Sequence, residues 1–447
     1  MNSETESPSS SSERDLGYAW YVVLVLMVCY TLSFVDRQIL SLLVTPIKQD
    51  LGISDTRIGL LQGLAFAIFY TLLGLPMGRI ADRRSRRNLI AVGIFFWSLM
   101  TGLCSLAKSF WSLFLTRMGV GVGEATLGPS AFSIIADYFP REHLGRALSV
   151  YSAGIFIGAG LANIVGGAVS QAAIKLPPVT VPLFGTIAPW RLTFLIVGIP
   201  GLLVGLLVYT VREPLRRNLL RRADGQVSHL GAREVFDQML LRWRSVVGVS
   251  VGLSAQAMCN YALQAWGPTF FIRVFGWNLR QTGLVLGLMI LIGGCLGMYV
   301  GGALCDHWQS RRISEAPLKV GVIGALGAGA CFCLAMAHQQ PRWTIVFLCP
   351  TLFFLAVPVG SSYAALQLIF PNQLRGQVSA LLLFTINVGG LIMGPWLVGV
   401  LNDLLGLKMV GYSLAITIGL ASLVSGTMFR LTYGPYRKHY KMMHEGG

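Results

Sequence analysis

The feature that most constrains this chain is the recurrence of apolar runs about 20 residues long, the length a helix needs to cross the hydrocarbon core of a bilayer. Six runs can be read near 18–46, 55–81, 87–106, 110–138, 142–171 and 187–211, and six more near 243–272, 280–306, 316–338, 342–368, 374–403 and 408–433. Inside a bilayer each segment has to satisfy its own backbone amides, so these runs predict helices. The expected fold is an all-α membrane protein of twelve transmembrane helices. Composition agrees: the chain is 54% hydrophobic and 12% charged, about half the charge of a soluble protein.

The net charge of +16 is not laid out as a basic groove with aromatic platforms, which argues against nucleic acid as a partner. Lys and Arg gather at the ends of the apolar runs instead. If the N-terminus is inside, 24 of the 35 fall on its side of the membrane, 9 on the other, and Arg37 and Arg117 lie within it. The positive-inside rule then predicts that both termini are cytoplasmic. Residues 1–16 are polar and Ser-rich, without the pattern of a cleaved signal, and are expected to form a loose cytoplasmic tail, with a second tail at 434–447. The eight cysteines lie in or beside apolar runs without CxxC spacing, so they predict small buried side chains rather than a metal or disulfide framework. No GxSxG elbow, HExxH or P-loop is present, so neither an enzyme nor a cofactor is expected.

Residues 212–242 form the one long hydrophilic gap and divide 17–211 from 243–433. Within the gap Val235, Met239 and Trp243 share a helical stripe flanked by Arg233, Glu234, Asp237 and Arg242, which fits either an amphipathic helix on the membrane surface or a plain linker. The two halves echo each other. Gly78-Arg-Ile-Ala-Asp82 and Gly302-Ala-Leu-Cys-Asp306 are each followed by an Arg pair, Arg86-Arg87 and Arg311-Arg312. Phe139-Pro140 with Gly145 matches Phe370-Pro371 with Gly376 at identical spacing. Two matches in register predict a duplication that produces two pseudo-symmetric six-helix bundles.

On these motifs the chain resembles the major facilitator superfamily. Gly78-Arg-Ile-Ala-Asp82-Arg83-Arg84-Ser85-Arg86-Arg87 is similar to that superfamily's loop between helices two and three, with Ser85 in place of the usual glycine. Loss of the glycine is expected to change the turn. The second copy is one residue longer and has His307 where a basic residue is common; Trp190-Arg191 and Arg212-Glu213-Pro214 also resemble superfamily signatures. Within the superfamily, Phe34-Val35-Asp36-Arg37 and Arg117-Met-Gly-Val-Gly-Val-Gly123-Glu124-Ala125 resemble the Spinster transporters. That resemblance implies proton-driven movement of a lysophospholipid or sphingosine-type phosphate across a bacterial inner membrane, by a monomer.

A charge deep in a bilayer costs at least ~2.5 to 3.5 kcal/mol, so intramembrane ionisable residues are functional candidates. Four are expected here, Asp36, Arg37, Arg117 and Glu124, all in the first half. Helical rise places Asp36 and Arg117 at similar depth in the outer half, where they could meet, and Glu124 lies two turns from Arg117 on the same face. Gly119, Gly121 and Gly123 are expected to let helix one pack closely on helix four. Arg stays protonated, which leaves Asp36 and Glu124 as proton carriers and Arg37 and Arg117 as switch or headgroup cations. Making or breaking an Asp36 to Arg117 contact would change proton affinity and so couple the headgroup to the proton.

The second half offers a polar but uncharged wall, Gln256, Asn260, Tyr261, Gln264, Tyr363, Gln367 and Asn387, suited to an amphiphile. Asp82, Arg83, Asp137, Arg141 and Arg146 are expected to form a cytoplasmic gate. Two other readings stay open: a carrier for a soluble organic anion or drug, and a lipid sensor or scramblase-like path that does not pump.

Overall fold

The computed structural model describes residues 8–177, 179–181, 185–216, 232–337 and 340–444. Among the described residues twelve helical spans follow one another. In the first half, span one is Pro8–Leu42 continued by Val44–Leu51, and span two is Asp55–Gln62 with Leu64–Arg83. Span three is Arg86–Leu103, span four Phe110–Glu124 with Leu127–Tyr138, span five Arg141–Ile174 and span six Pro189–Val208. In the second half, span seven is Trp243–Phe275, span eight Leu279–Ser310 and span nine Ala316–Ala337. Span ten is Pro341–Ala356 with Ser361–Leu368, span eleven runs from Asn372 to Leu405 and span twelve is Val410–His444. A short antiparallel hairpin, Val179–Val181 with Gly185–Ile187, joins spans five and six.

Ten spans are each long and apolar enough alone to cross a bilayer. The other two, four and ten, are interrupted, span four at Ala125 and Thr126, one residue past the buried Glu124. Helix ends are set by local chemistry. Ser54, Ser85 and Ser109 accept the first free amides of spans two, three and four. Gly276 closes span seven at a φ of 67° that a side chain would strain.

Helix formation runs past the expected edges at both ends of the chain. Span one begins at Pro8, inside the segment expected to be a loose tail, and span twelve continues to His444, beyond the expected boundary at 433. Extending a helix costs little once it is nucleated, so apolarity marks the membrane but not the helix end. In the linker, Ala232–Leu241 is helical. Trp243 next to it is exposed, and the side chain of Val235 lies outside the described residues.

An even number of spans leaves both chain ends on one face, here called the basic end after its Arg residues; the other is the far end. Glycines let the halves meet in the middle and at the far end. A Cβ on Gly283 of span eight would sit 2.2 Å from the Asn163 carbonyl of span five. One on Gly59 of span two would sit 2.5 Å from the Pro395 carbonyl of span eleven. Toward the basic end Gly145 and Gly302 face open space. The close glycine contacts between the halves fall in the middle and at the far end.

Candidate functional site

Asp36, Arg117 and Glu124 are all buried in the first bundle, and Arg37 lies at its edge facing the second. Arg37 pairs with Glu124, its Nε donating to Oε2 at 2.6 Å. The guanidinium is also held by the rings of Phe66 at 4.5 Å, Tyr70 at 4.8 Å and Phe34 at 5.2 Å, so cation–π contact fixes what the ion pair orients. Arg117 donates from Nη1 to the main-chain carbonyl of Asp36 at 2.9 Å, and its Nε has no acceptor. Both carboxylate oxygens of Asp36 are buried without a hydrogen bond. Arg117, the Trp97 indole and the Thr101 hydroxyl lie around them, and the latter two donors are themselves unengaged.

The Asp36 to Arg117 contact, read as one that is made or broken, is not an ion pair in this conformation; the ion pair within the cluster is Arg37 with Glu124. The side chains of residues 36 and 37 diverge by about 100° around the helix. Arg37 faces Glu124, and Arg117 reaches only the backbone beside Asp36. The glycines of span four also differ from expectation. Gly121 packs on the Phe66 carbonyl of span two, Gly119 on Met100 and Gly123 on Gly93 and Trp97 of span three. The nearest neighbours of all three lie on spans two and three, so the closest approach they allow is within the bundle's other wall.

A small recess, of about 40 Å³, opens between the halves beside this cluster. Arg37, Arg117, Gln38 and Gln62 line it from the first half, and Tyr261 and Gln264 from the second. The remaining wall residues are elsewhere. Asn260 accepts from the Gln264 amide, Gln256 is buried with its Oε1 unpartnered, Gln367 is exposed and donates to Ser379 at 3.1 Å, and Asn387 starts a π-helical turn, Asn387–Ile392. The side chain of Tyr363 lies outside the described residues.

At the basic end Asp137 pairs with Arg86, which also reaches Glu213 at 2.8 Å, Ser133 at 2.8 Å and the Pro214 carbonyl at 3.0 Å. Burial pushes the Glu213 carboxyl up, but the Arg87 amide, Arg86 and Ser85 outweigh it and hold it below the usual range. Ser85 needs no left-handed turn, because it caps span three with φ −64° while donating to Glu213. Asp82 and Arg83 are exposed and make no ion pair among the described residues, and Arg146 lies 5.9 Å from the Trp20 ring. The side chain of Arg141 lies outside the described residues. Among the described residues, Asp82, Arg83 and Arg146 form no ion pair with one another.

The closed far end holds groups that the sequence did not reveal. Asp55 is fully buried, accepts from Arg273 of span seven at 2.5 and 3.0 Å and from Lys48 at 2.7 Å. Asp403 of span eleven accepts from the amides of Asp55 at 3.0 Å and Thr56 at 2.8 Å. The Trp190-Arg191 pair has a local role, both side chains holding Asp50.

The Major Facilitator Superfamily model matches residues 26–316. An MFS-type efflux pump of Mycolicibacterium smegmatis is 30% identical over 439 residues, 94% of each chain. The sphingosine-1-phosphate transporter SPNS2 of Xenopus tropicalis is 27% identical across 90% of this chain and 78% of its own. Among solved structures, a bacterial homolog of the human lysosomal transporter Spinster, inward-facing and unoccupied, superimposes with a TM-score of 0.77 at 25% identity, covering 96% of this chain and 98% of that one. Shared fold, interior charges and full-length similarity agree: the chain belongs to the Major Facilitator Superfamily as a relative of the Spinster transporters, and it is a membrane transporter, not an enzyme.

Proposed function

We propose that this protein is a proton-coupled carrier of an anionic amphiphile, a lysolipid or sphingoid-type phosphate, that alternates access by rocking 17–211 against 243–433. The observation that carries the reading is incomplete pairing among the buried charges. Neither Asp36 carboxylate oxygen is hydrogen-bonded, Glu124 Oε1 and Arg117 Nε have no partner, and Arg117, with Arg37, lines the recess. A buried carboxylate without a partner is costly, and a proton removes that cost. An anionic headgroup at Arg117 or Arg37 changes what the two carboxylates face. Proton and headgroup then act on the same four groups, which is what thermodynamic coupling requires.

In this reading Asp36 and Glu124 carry protons, Arg37 and Arg117 take the headgroup, and Tyr261 and Gln264 complete its site. Gln256, Asn260, Tyr363, Gln367 and Asn387 lie along the path of the tail. Asp82, Arg83, Asp137, Arg141 and Arg146 close the basic end in the opposite state. The excess of Lys and Arg there argues that it is cytoplasmic, so both termini are inside and this conformation faces inward. A bacterial inner membrane and a monomer suit it. The similarity to the mycobacterial efflux pump favours a second reading, a carrier for a soluble organic anion or drug that uses the same charges.

Purified protein in proteoliposomes, given labelled lysolipids with a proton gradient imposed or collapsed, separates these. Gradient-dependent lysolipid movement supports the proposal. Gradient-dependent drug efflux that lysolipid does not inhibit replaces it with the second reading. Lipid movement indifferent to the gradient points to a passive lipid path.

A further inference from the structure

Two recess side chains play no part in the charge cluster, and both cross from one half to the other. Gln38 of span one donates from Nε2 to the Gln264 carbonyl of span seven at 2.8 Å. Gln62 of span two donates from Nε2 to the Ala265 carbonyl at 2.9 Å. The first acceptor is free for a local reason. In an α-helix the carbonyl of residue 264 bonds the amide of residue 268, but residue 268 is proline and has none. Gln38 supplies from the other half the donor that span seven lacks.

The surroundings of Gln62 point the same way. Its own Oε1 is buried without a partner, and span two breaks directly after it at Gly63. A Cβ on Gly63 would lie 2.7 Å from the Leu391 carbonyl, inside the π-helical turn of span eleven. Both facing helices depart from α geometry at the level of the amide bridge, as π-turns often do at moving or functional sites.

We propose that Gln38 and Gln62 form a substrate-responsive clasp. Their amides hold span seven against spans one and two while the recess is empty, and the oxygens of an anionic headgroup draw those amides away, which lets the far end open. The proposal rests on the recess being the headgroup site. Gln38, Gln62 and the clasped residues Gln264 and Ala265 line the same recess as Arg37 and Arg117, so an anion bound by the guanidiniums arrives beside the amides. An amide bonds a charged oxygen more strongly than a main-chain carbonyl, so the exchange favours an anion and not a neutral headgroup. The unpartnered Gln62 Oε1 offers a place for a hydroxyl or ammonium donor of the same ligand.

The test uses the full chain in nanodiscs, spin-labelled at Gln49 and Arg280, which are exposed near the far ends of spans one and eight. The probes are lysophosphatidate and, as a neutral control, monoacylglycerol. One variant is Gln38→Met with Gln62→Met, which keeps the bulk and removes both amides. Pro268→Ala is the second; it restores an amide that returns the Gln264 carbonyl to its helix and requires no new packing. In the wild type, lysophosphatidate should widen the far-end distance and monoacylglycerol should not. In the double variant the open fraction without ligand should rise roughly tenfold relative to closed, the worth of two neutral hydrogen bonds, and lysophosphatidate should add less than about twofold to it. Pro268→Ala should fall between.

Ligand-free distances like the wild type's, with the response to lysophosphatidate intact in both variants, overturn the clasp. So does a Gln variant that only loses affinity while its distances stay as in the wild type, since that is a ligand contact alone. Failure of the wild type to bind lysophosphatidate in a direct titration is a failure of the headgroup reading, and it is seen before any variant is compared.

Discussion

The two halves share a framework and differ in charge. In the first, the membrane interior holds Asp36, Arg37, Arg117 and Glu124; in the second, the described residues facing them at the recess are Tyr261, Gln264, Ala265, Leu391 and Pro395. The basic end shows a related contrast. Span three starts at Arg86, tied to Glu213 just past span six, whereas span nine follows Glu315, tied to Arg437 near the end of span twelve. The cation is on the loop in one half and the acid is on the loop in the other. An ion pair can tie two helix ends with either arrangement of sign, so the two halves share the tie and differ in its polarity. The second loop, five residues between its helices against two in the first, carries Arg312 at a φ of 58°, while Ser85 in the first stays extended. The proposed coupling of a proton to an anion needs one set of charges, and the first half holds the interior ones.

If the halves divide labour in this way, removing a titratable group from the first should hurt most. Glu124→Gln matches the carboxylate in shape but cannot titrate, and it is expected to bring gradient-driven lysolipid transport down to the level of protein-free liposomes while lysolipid binding persists. Transport at the wild-type rate by the purified variant would remove Glu124 from the coupling. Arg117→Ala should be next, weakening phosphate-bearing lipids by about tenfold to a hundredfold, the worth of hydrogen bonds to a charged group. A neutral analogue titrated alongside should lose far less; equal losses would make Arg117 a structural residue. Asp36→Asn should have a subtler effect, flattening the response of the far-end distance between about pH 8 and pH 5 without unfolding the protein. A full pH response in that variant assigns the sensing to Glu124.

Much of this asymmetry was legible in the sequence, because the length of an apolar run and the cost of a buried charge are properties of single residues and segments. Twelve spans and four interior charges follow from those two quantities. Pairing does not. Helical rise gives depth but not the direction a side chain takes around the axis, so depth alone brings Asp36 to Arg117, whereas Arg37 and Glu124 form the pair. Asp55 and Arg273 lie at helix ends, where charges ordinarily reach to water, and they are 218 residues apart in the chain, so nothing local marked them as one bond. Gln38 and Gln62 each carried one weak polar signal, and only the bend at Gly63 and the missing amide of Pro268 gave them a common partner.

The polarity swap at the basic end allows a sharper and smaller test. Arg86 is buried and engages Asp137, Glu213, Ser133 and the Pro214 carbonyl, while Arg437 is half exposed and engages Glu315. The second tie should therefore be the weaker one, since water screens it. Burial pushes the Glu315 carboxyl up, but the Arg437 hydrogen bond, its own helix-end amide, Ser314 and the Arg437 charge outweigh that and hold it at about 2. A carboxyl depressed in the folded state stabilises the fold above its unfolded value, near 4.3, and the stabilisation is lost as pH falls through that window toward the folded value. Glu315→Gln should accordingly lower the apparent Tm in detergent by about 2 °C or less at neutral pH. The gap between variant and wild type should then shrink as the pH is taken below about 4, because the wild type gives up the same interaction by protonation. A gap that stays constant down to pH 3 would mean that Glu315 acts through packing, and that the resemblance between the two ties is one of position only.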